Sequence, residues 1–261
     1  MFRGAEAAFP RRREVSVYGD CVASDTDSVP DRPAERAERA HRALRAAIIE
    51  GALEPDTRLG EEALATHFGV SRTLIRTVLA RLVDDGLVDT GKGKSARVAH
   101  PTLDEAREAF AVRAALELGA IRALAAAWTP DADDALRAHV RAERQALEAR
   151  NAKASARLGG EFHIALARAT GNALLLRYVT AVVSRTALIL TVYGRDIDQA
   201  ASIDEHEQLI GLLAEGRVDD ALALAERHLL TVEDDTLRRS SRRTNRDLAS
   251  ILTDFADLPD L

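Results

Sequence analysis

The chain has 261 residues and a net charge of −6 at neutral pH, long enough for two domains with separate cores. Its one cysteine, Cys21, excludes an intrachain disulfide or a thiolate zinc site and fits a reducing compartment. No apolar leader follows Met1, and Arg177 and Arg185 interrupt the greasiest stretch, 174–192, so the expectation is a cytoplasmic protein with no membrane contact.

The acid is unevenly spread, at −1 over residues 1–34, +1 over 35–100 and −6 over 101–261. Residues 1–34 lack hydrophobic periodicity and are expected to be a disordered tail. A helix is expected from Arg42 to Glu50, stopped by Gly51, with a turn at Pro55-Asp56 and a short helix from Glu61 to His67. Only Gly69 to Ser71 separate that helix from the next, the tight link of a helix-turn-helix. In a helix starting at Arg72, Leu74, Ile75, Val78, Leu79 and Leu82 share one face. Arg72, Thr73 and Arg76 share the other, and Ser71 is placed to cap the first turn. Backbone N–H groups and two guanidinium forks then point outward together, as suits a phosphate and the base edges behind it. Gly86 ends the helix, and Leu87-Val88 and Ala96-Arg97-Val98 flank a glycine- and lysine-rich loop containing Lys92, Gly93 and Lys94, which predicts a β-hairpin wing.

These residues resemble the GntR superfamily of bacterial transcriptional regulators. The resemblance lies in Ile48-x-x-Gly51-x-Leu53-x-Pro55-x-x-x-Leu59, Leu64-Ala65-x-x-Phe68-Gly69-Val70-Ser71-Arg72-Thr73-x-x-Arg76 and Gly86-Leu87-Val88. It implies a homodimer on an inverted repeat of double-stranded DNA, with Arg72, Thr73 and Arg76 as main contacts and Gly93 in the minor groove. One departure is Glu62, where many relatives carry a basic residue.

From Asp104 the pattern is helical throughout. Helices are expected over 104–127, 131–150, 152–169, 172–193, 202–215 and 217–237, with capping boxes at Thr102/Glu105 and Ser202/Glu205. The fold class is therefore mainly α: a winged helix-turn-helix with a small β-hairpin wing, then an antiparallel all-α bundle. The expected domains are 35–100 for the winged module, 101–238 for the bundle and 239–261 for a C-terminal extension.

His163, His206 and His228 each fall on an apolar helix face. One such histidine is usually a hydrogen-bonded core residue, but three on inward faces of one bundle suit a divalent ion of the zinc, nickel or manganese type. Arg113-x-x-x-Glu117, Phe162-His163-x-x-Leu166-Ala167-x-x-Thr170-Gly171-Asn172, Glu205-His206 and Arg227-His228-Leu229 resemble the FadR-type ligand-binding (FCD) domain. That resemblance implies a metal held by one Asp and three His, with a ligand carboxylate completing the shell. The three histidines match, but Gly159 stands where the Asp would be. Arg113 is the expected carboxylate holder because its planar fork pairs bidentately, the competing possibility being an i,i+4 salt bridge to Glu117. Arg185 is a weaker second ligand candidate, and His163 serves both metal and ligand.

The function expected is a ligand-responsive repressor binding a palindromic operator, with a small organic acid as effector and no catalytic residues. Alternatives are a metal-free pocket with the histidines as hydrogen-bond donors, a three-histidine hydrolytic enzyme and a purely architectural DNA-binding dimer.

Overall fold

Residues 32–90, 95–194 and 198–244 are described by the structure, a computed structural model. The winged module contains α1 (Pro33–Ile49), α2 (Glu61–Phe68), α3 (Arg72–Asp84), β1 (Val88–Asp89) and β2 (Arg97–Val98). Helix α1 starts well before the expected Arg42. Pro33 sits in its first turn, and the Arg32 backbone N–H donates to Glu35 Oε2 at 2.9 Å, which starts the helix there. The expected tail ending at residue 34 therefore gives up Pro33 and Ala34 to α1. Ala40, Leu44 and Ile48, four apart, bury one stripe of α1 in a core shared with Ile75, Val78, Leu79 and Leu82 of α3.

Helix α3 begins where the sequence places it, because Ser71 Oγ accepts from the Leu74 N–H at 3.2 Å. The wing pairs β1 and β2 antiparallel, with Val88 opposite Val98 and Asp89 opposite Arg97.

The second part comprises α4 (Leu103–Ala126), α5 (Pro130–Glu148), α6 (Ala152–Ala169), α7 (Ala173–Tyr193), α8 (Gln199–Ala214) and α9 (Val218–Thr244). The box at Thr102 and Glu105 forms. Ser202 does not cap α8, because Asp198 accepts from the Ala201 N–H at 3.0 Å and starts the helix a turn earlier. Nor does a separate extension begin at residue 239: with neither Gly nor Pro to stop it, α9 runs on to Thr244.

Helix α7 joins the two parts. Leu188 lies in the winged-module core, Ile189 packs with Phe110 and Val232, and Val179 and Val183 pack with Ile164 and Ala167. By length and composition α7 could cross a membrane, yet three protein cores take up most of its apolar residues. At the seam Thr191 Oγ1 donates to the Ile49 carbonyl at 2.5 Å. Gly51 keeps this approach open: its φ is +71°, and a Cβ there would stand 2.9 Å from Thr191 Cγ2.

Candidate nucleic-acid interface and candidate metal centre

Helix α3 carries Arg72, Thr73 and Arg76 on its exposed face. Glu61, in the first turn of α2, accepts from Arg76 Nε at 2.9 Å and lies 3.5 Å from Arg72 Nη2. The two arginine side chains stay 59% and 61% exposed, so a single carboxylate orients both while leaving them open to solvent. With Arg58, Glu62 and Ser95 they line a cleft of about 630 Å³ beside the wing. Ser71 works here as the cap of the helix, its oxygen taken by the Leu74 N–H. Lys92, Gly93 and Lys94 lie outside the described residues.

In the helical part, His163 from α6, His206 from α8 and His228 from α9 come together. All three are buried, and one ring nitrogen from each lies within 4.8 Å of the other two. The ring centroids are 5.1, 5.3 and 5.1 Å apart. Three imidazoles ligating one ion at about 2.1 Å would have centroids about 5 Å apart, so the spacing fits a shared ion.

Behind each ring stands a carboxylate. Nδ1 of His163 is 2.6 Å from Glu117 Oε2, Nδ1 of His206 is 3.1 Å from Glu143 Oε2, and Nδ1 of His228 is 2.6 Å from Glu205 Oε2. Outer carboxylates of this kind fix the tautomer and turn the other nitrogen toward a metal. Nε2 of His206 is buried with no partner among the described residues. Burial holds the His163 and His206 imidazoles well below the usual histidine range and so keeps them neutral, the form that ligates. Burial pushes Glu117 upward, but the Arg113 charge and the hydrogen bonds from His163 and Arg113 together outweigh it and keep the carboxylate ionised.

Glu143 meets no such cation at hydrogen-bonding distance, and burial raises its carboxyl to about 7. It lies on the buried stripe of α5 with Leu136 and Val140, an acid three residues beyond an apolar position, which is the signal the sequence offered for it. Its Oε1 has no hydrogen-bond partner among the described residues and lies 2.9 Å from where a Cβ on Gly159 would be. The space left by the side chain missing at 159 is thus occupied from a neighbouring helix.

Arg113 is bound to its i+4 neighbour: Nε donates to Glu117 Oε1 at 2.6 Å, and Nη1 donates to Thr186 Oγ1 at 3.3 Å. It still lines, with the three histidines, a cavity of about 640 Å³. Arg185 does not reach that cavity. It pairs with Glu105 at 3.2 Å and packs against Gly86, because its position on α7 faces the end of α3. Glu161, two residues before His163, also faces away, toward Arg45 and Arg157.

Residues 36–98 match the description "Bacterial regulatory proteins, gntR family", and residues 108–231 match "FCD domain". The chain is 30% identical over 199 residues to an HTH-type transcriptional regulator in an unstable DNA locus of Streptomyces ambofaciens, covering 75% of this chain and 82% of that one. It is 38% identical over 64 residues to the HTH-type transcriptional repressor NagR of Bacillus subtilis, covering 24% and 26%. The solved structure of E. coli McbR/YncC has the same fold, with a TM-score of 0.66 at 20% identity over 80% of this chain and 99% of that one. The Streptomyces and Bacillus relatives are named as transcriptional regulators, not as enzymes. With a winged helix-turn-helix in front and an FCD domain behind it, the chain belongs to the GntR family of bacterial transcriptional regulators.

Proposed function

We propose that the protein is a cytoplasmic, ligand-responsive repressor that binds a palindromic operator as a homodimer and senses a small organic acid in its helical domain. The observation that carries this reading is a solvent-exposed arginine pair on a capped helix, joined through α7 to a domain that gathers three buried histidines beside a cavity. Ser71 would hold the first turn of α3, Arg72, Thr73 and Arg76 would contact bases and phosphates, and Lys92, Gly93 and Lys94 of the wing would follow the adjacent groove. Repression is the activity named for NagR, to which 64 residues of this chain are similar. Leu174 and Tyr178, one turn apart on α7, are 60% and 50% exposed, which favours a second copy covering them. As the expected domain limits, residues 35–100 would read DNA and 101–238 would sense and dimerise.

His163, His206 and His228 would hold a divalent ion of the zinc, nickel or manganese type, with Glu117, Glu143 and Glu205 orienting them. When bound, the ion supplies a Lewis-acidic position for the effector's carboxylate. Arg113, at the wall of the same cavity, adds positive charge beside it, and His163 would be common to ion and ligand. Coupling requires that the effector bind one arrangement of the two modules better than the other.

The test is a gel shift with the protein's own upstream DNA: purified protein should retard a fragment carrying an inverted repeat, and a carboxylate should weaken the shift. Elemental analysis of the same preparation should find about one divalent ion per chain, lost in His163→Ala and His228→Ala. A metal-free wild-type protein that still answers to a carboxylate would favour the histidines as direct hydrogen-bond donors. Retardation that no carboxylate alters would end the sensor proposal.

A further inference from the structure

The effector cavity is not enclosed by the helical domain alone. Ile49, Glu50 and Gly51, at the end of α1, form part of its wall, facing residues of α6 and α7. From α6 the lining residues include Lys153, Ala156, Arg157, Gly160 and His163, whose spacing of three and four places them on one face. That face carries cations at one end, a histidine at the other and small residues between them. Arg157 and His163 are six positions apart, about 9 Å of helix rise. Gly160 adds no side chain to that length, and Glu143 of α5 lines the cavity beside Gly159.

Arg157 is also a bridge between the modules. Its Nε donates to Glu50 Oε1 and its Nη1 to Glu161 Oε2, both at 2.9 Å. A carboxylate that pairs bidentately takes two parallel N–H groups from one edge of a guanidinium. With Nε given to Glu50 and Nη1 to Glu161, an incoming carboxylate that pairs bidentately competes with one of them for an N–H.

We infer that the effector is a small dicarboxylate spanning this cavity, one carboxylate at the histidine and Arg113 end, the other on Arg157 in place of Glu50. The inference rests on the effector-pocket reading above and adds the second anchor. Binding at that anchor opens the Glu50 bridge, so occupancy of the cavity is felt directly at the end of α1, the helix packed against α3.

Calorimetric titration of the full chain with succinate, glutarate and adipate, beside butyrate, pentanoate and hexanoate, tests it. At least one dicarboxylate should bind about tenfold more tightly than its chain-matched monocarboxylate. Arg157→Gln should remove that preference by weakening the dicarboxylate alone. Glu50→Gln, which leaves Arg157 in place, should tighten the dicarboxylate several-fold and leave the monocarboxylate unchanged. Equal affinity for the two classes in the wild-type protein, or equal weakening of both by Arg157→Gln, overturns the second anchor while the carboxylate pocket stands. Binding by neither class removes the pocket reading and this inference together.

Discussion

Replacing Arg72 and Arg76 together with alanine is expected to lower operator affinity by about two to four orders of magnitude, from about 1–3 kcal/mol for each lost base contact. Fluorescence anisotropy on a labelled operator measures this. The folded state should barely notice, because both side chains are more than half exposed and their ion pairs to Glu61 are solvent-screened. An unchanged melting temperature beside lost binding would separate recognition from folding. Glu61→Gln sharpens the point: it frees both arginines without removing them, so binding should persist with altered base preference. Operator affinity left intact in the double alanine variant would move recognition away from α3.

Arg113→Ala is expected to cost about 3–5 kcal/mol of folding stability, measured by urea unfolding of the full chain, because it strands an ionised carboxylate in the core. Arg113 and Glu117 are each 4% exposed at the side chain and 2.6 Å apart, and Glu117 also receives His163. Removing both charges in Arg113→Leu, Glu117→Leu should recover part of that loss, since an apolar pair needs no counter-ion. If the three histidines hold an ion as proposed, the double variant should nonetheless bind it less well, because His163 then lacks the acceptor that orients it. A cost below about 1 kcal/mol for the single change would mean that Glu117 is not held ionised in the core.

The winged module was legible in the sequence because its information is local. The Ser71 cap, the Ile75–Leu82 stripe, and Gly69 and Gly86 at positive φ each act within a turn or two of their own position. The three histidines were legible for the same reason, each standing out on an apolar face. What lay behind them was only partly so. Glu205 and Glu117 were visible as residues of the family pattern, but not as partners of His228 and His163. Glu143 was missed altogether, because it comes from another helix, and only packing reveals that it fills the space beside Gly159. That Arg185 meets Glu105 was hidden because periodicity gives a helix face, not what that face meets across the seam.

The way α7 gives Leu188 to the winged core has a consequence for anyone wishing to exchange recognition modules between relatives. Cut at Pro101, the front piece would lose part of its own interior and the rear piece would present an uncovered greasy ridge. A working hybrid therefore has to carry over the matching positions of α7 together with the transplanted reader, even though they lie about ninety residues further along the chain.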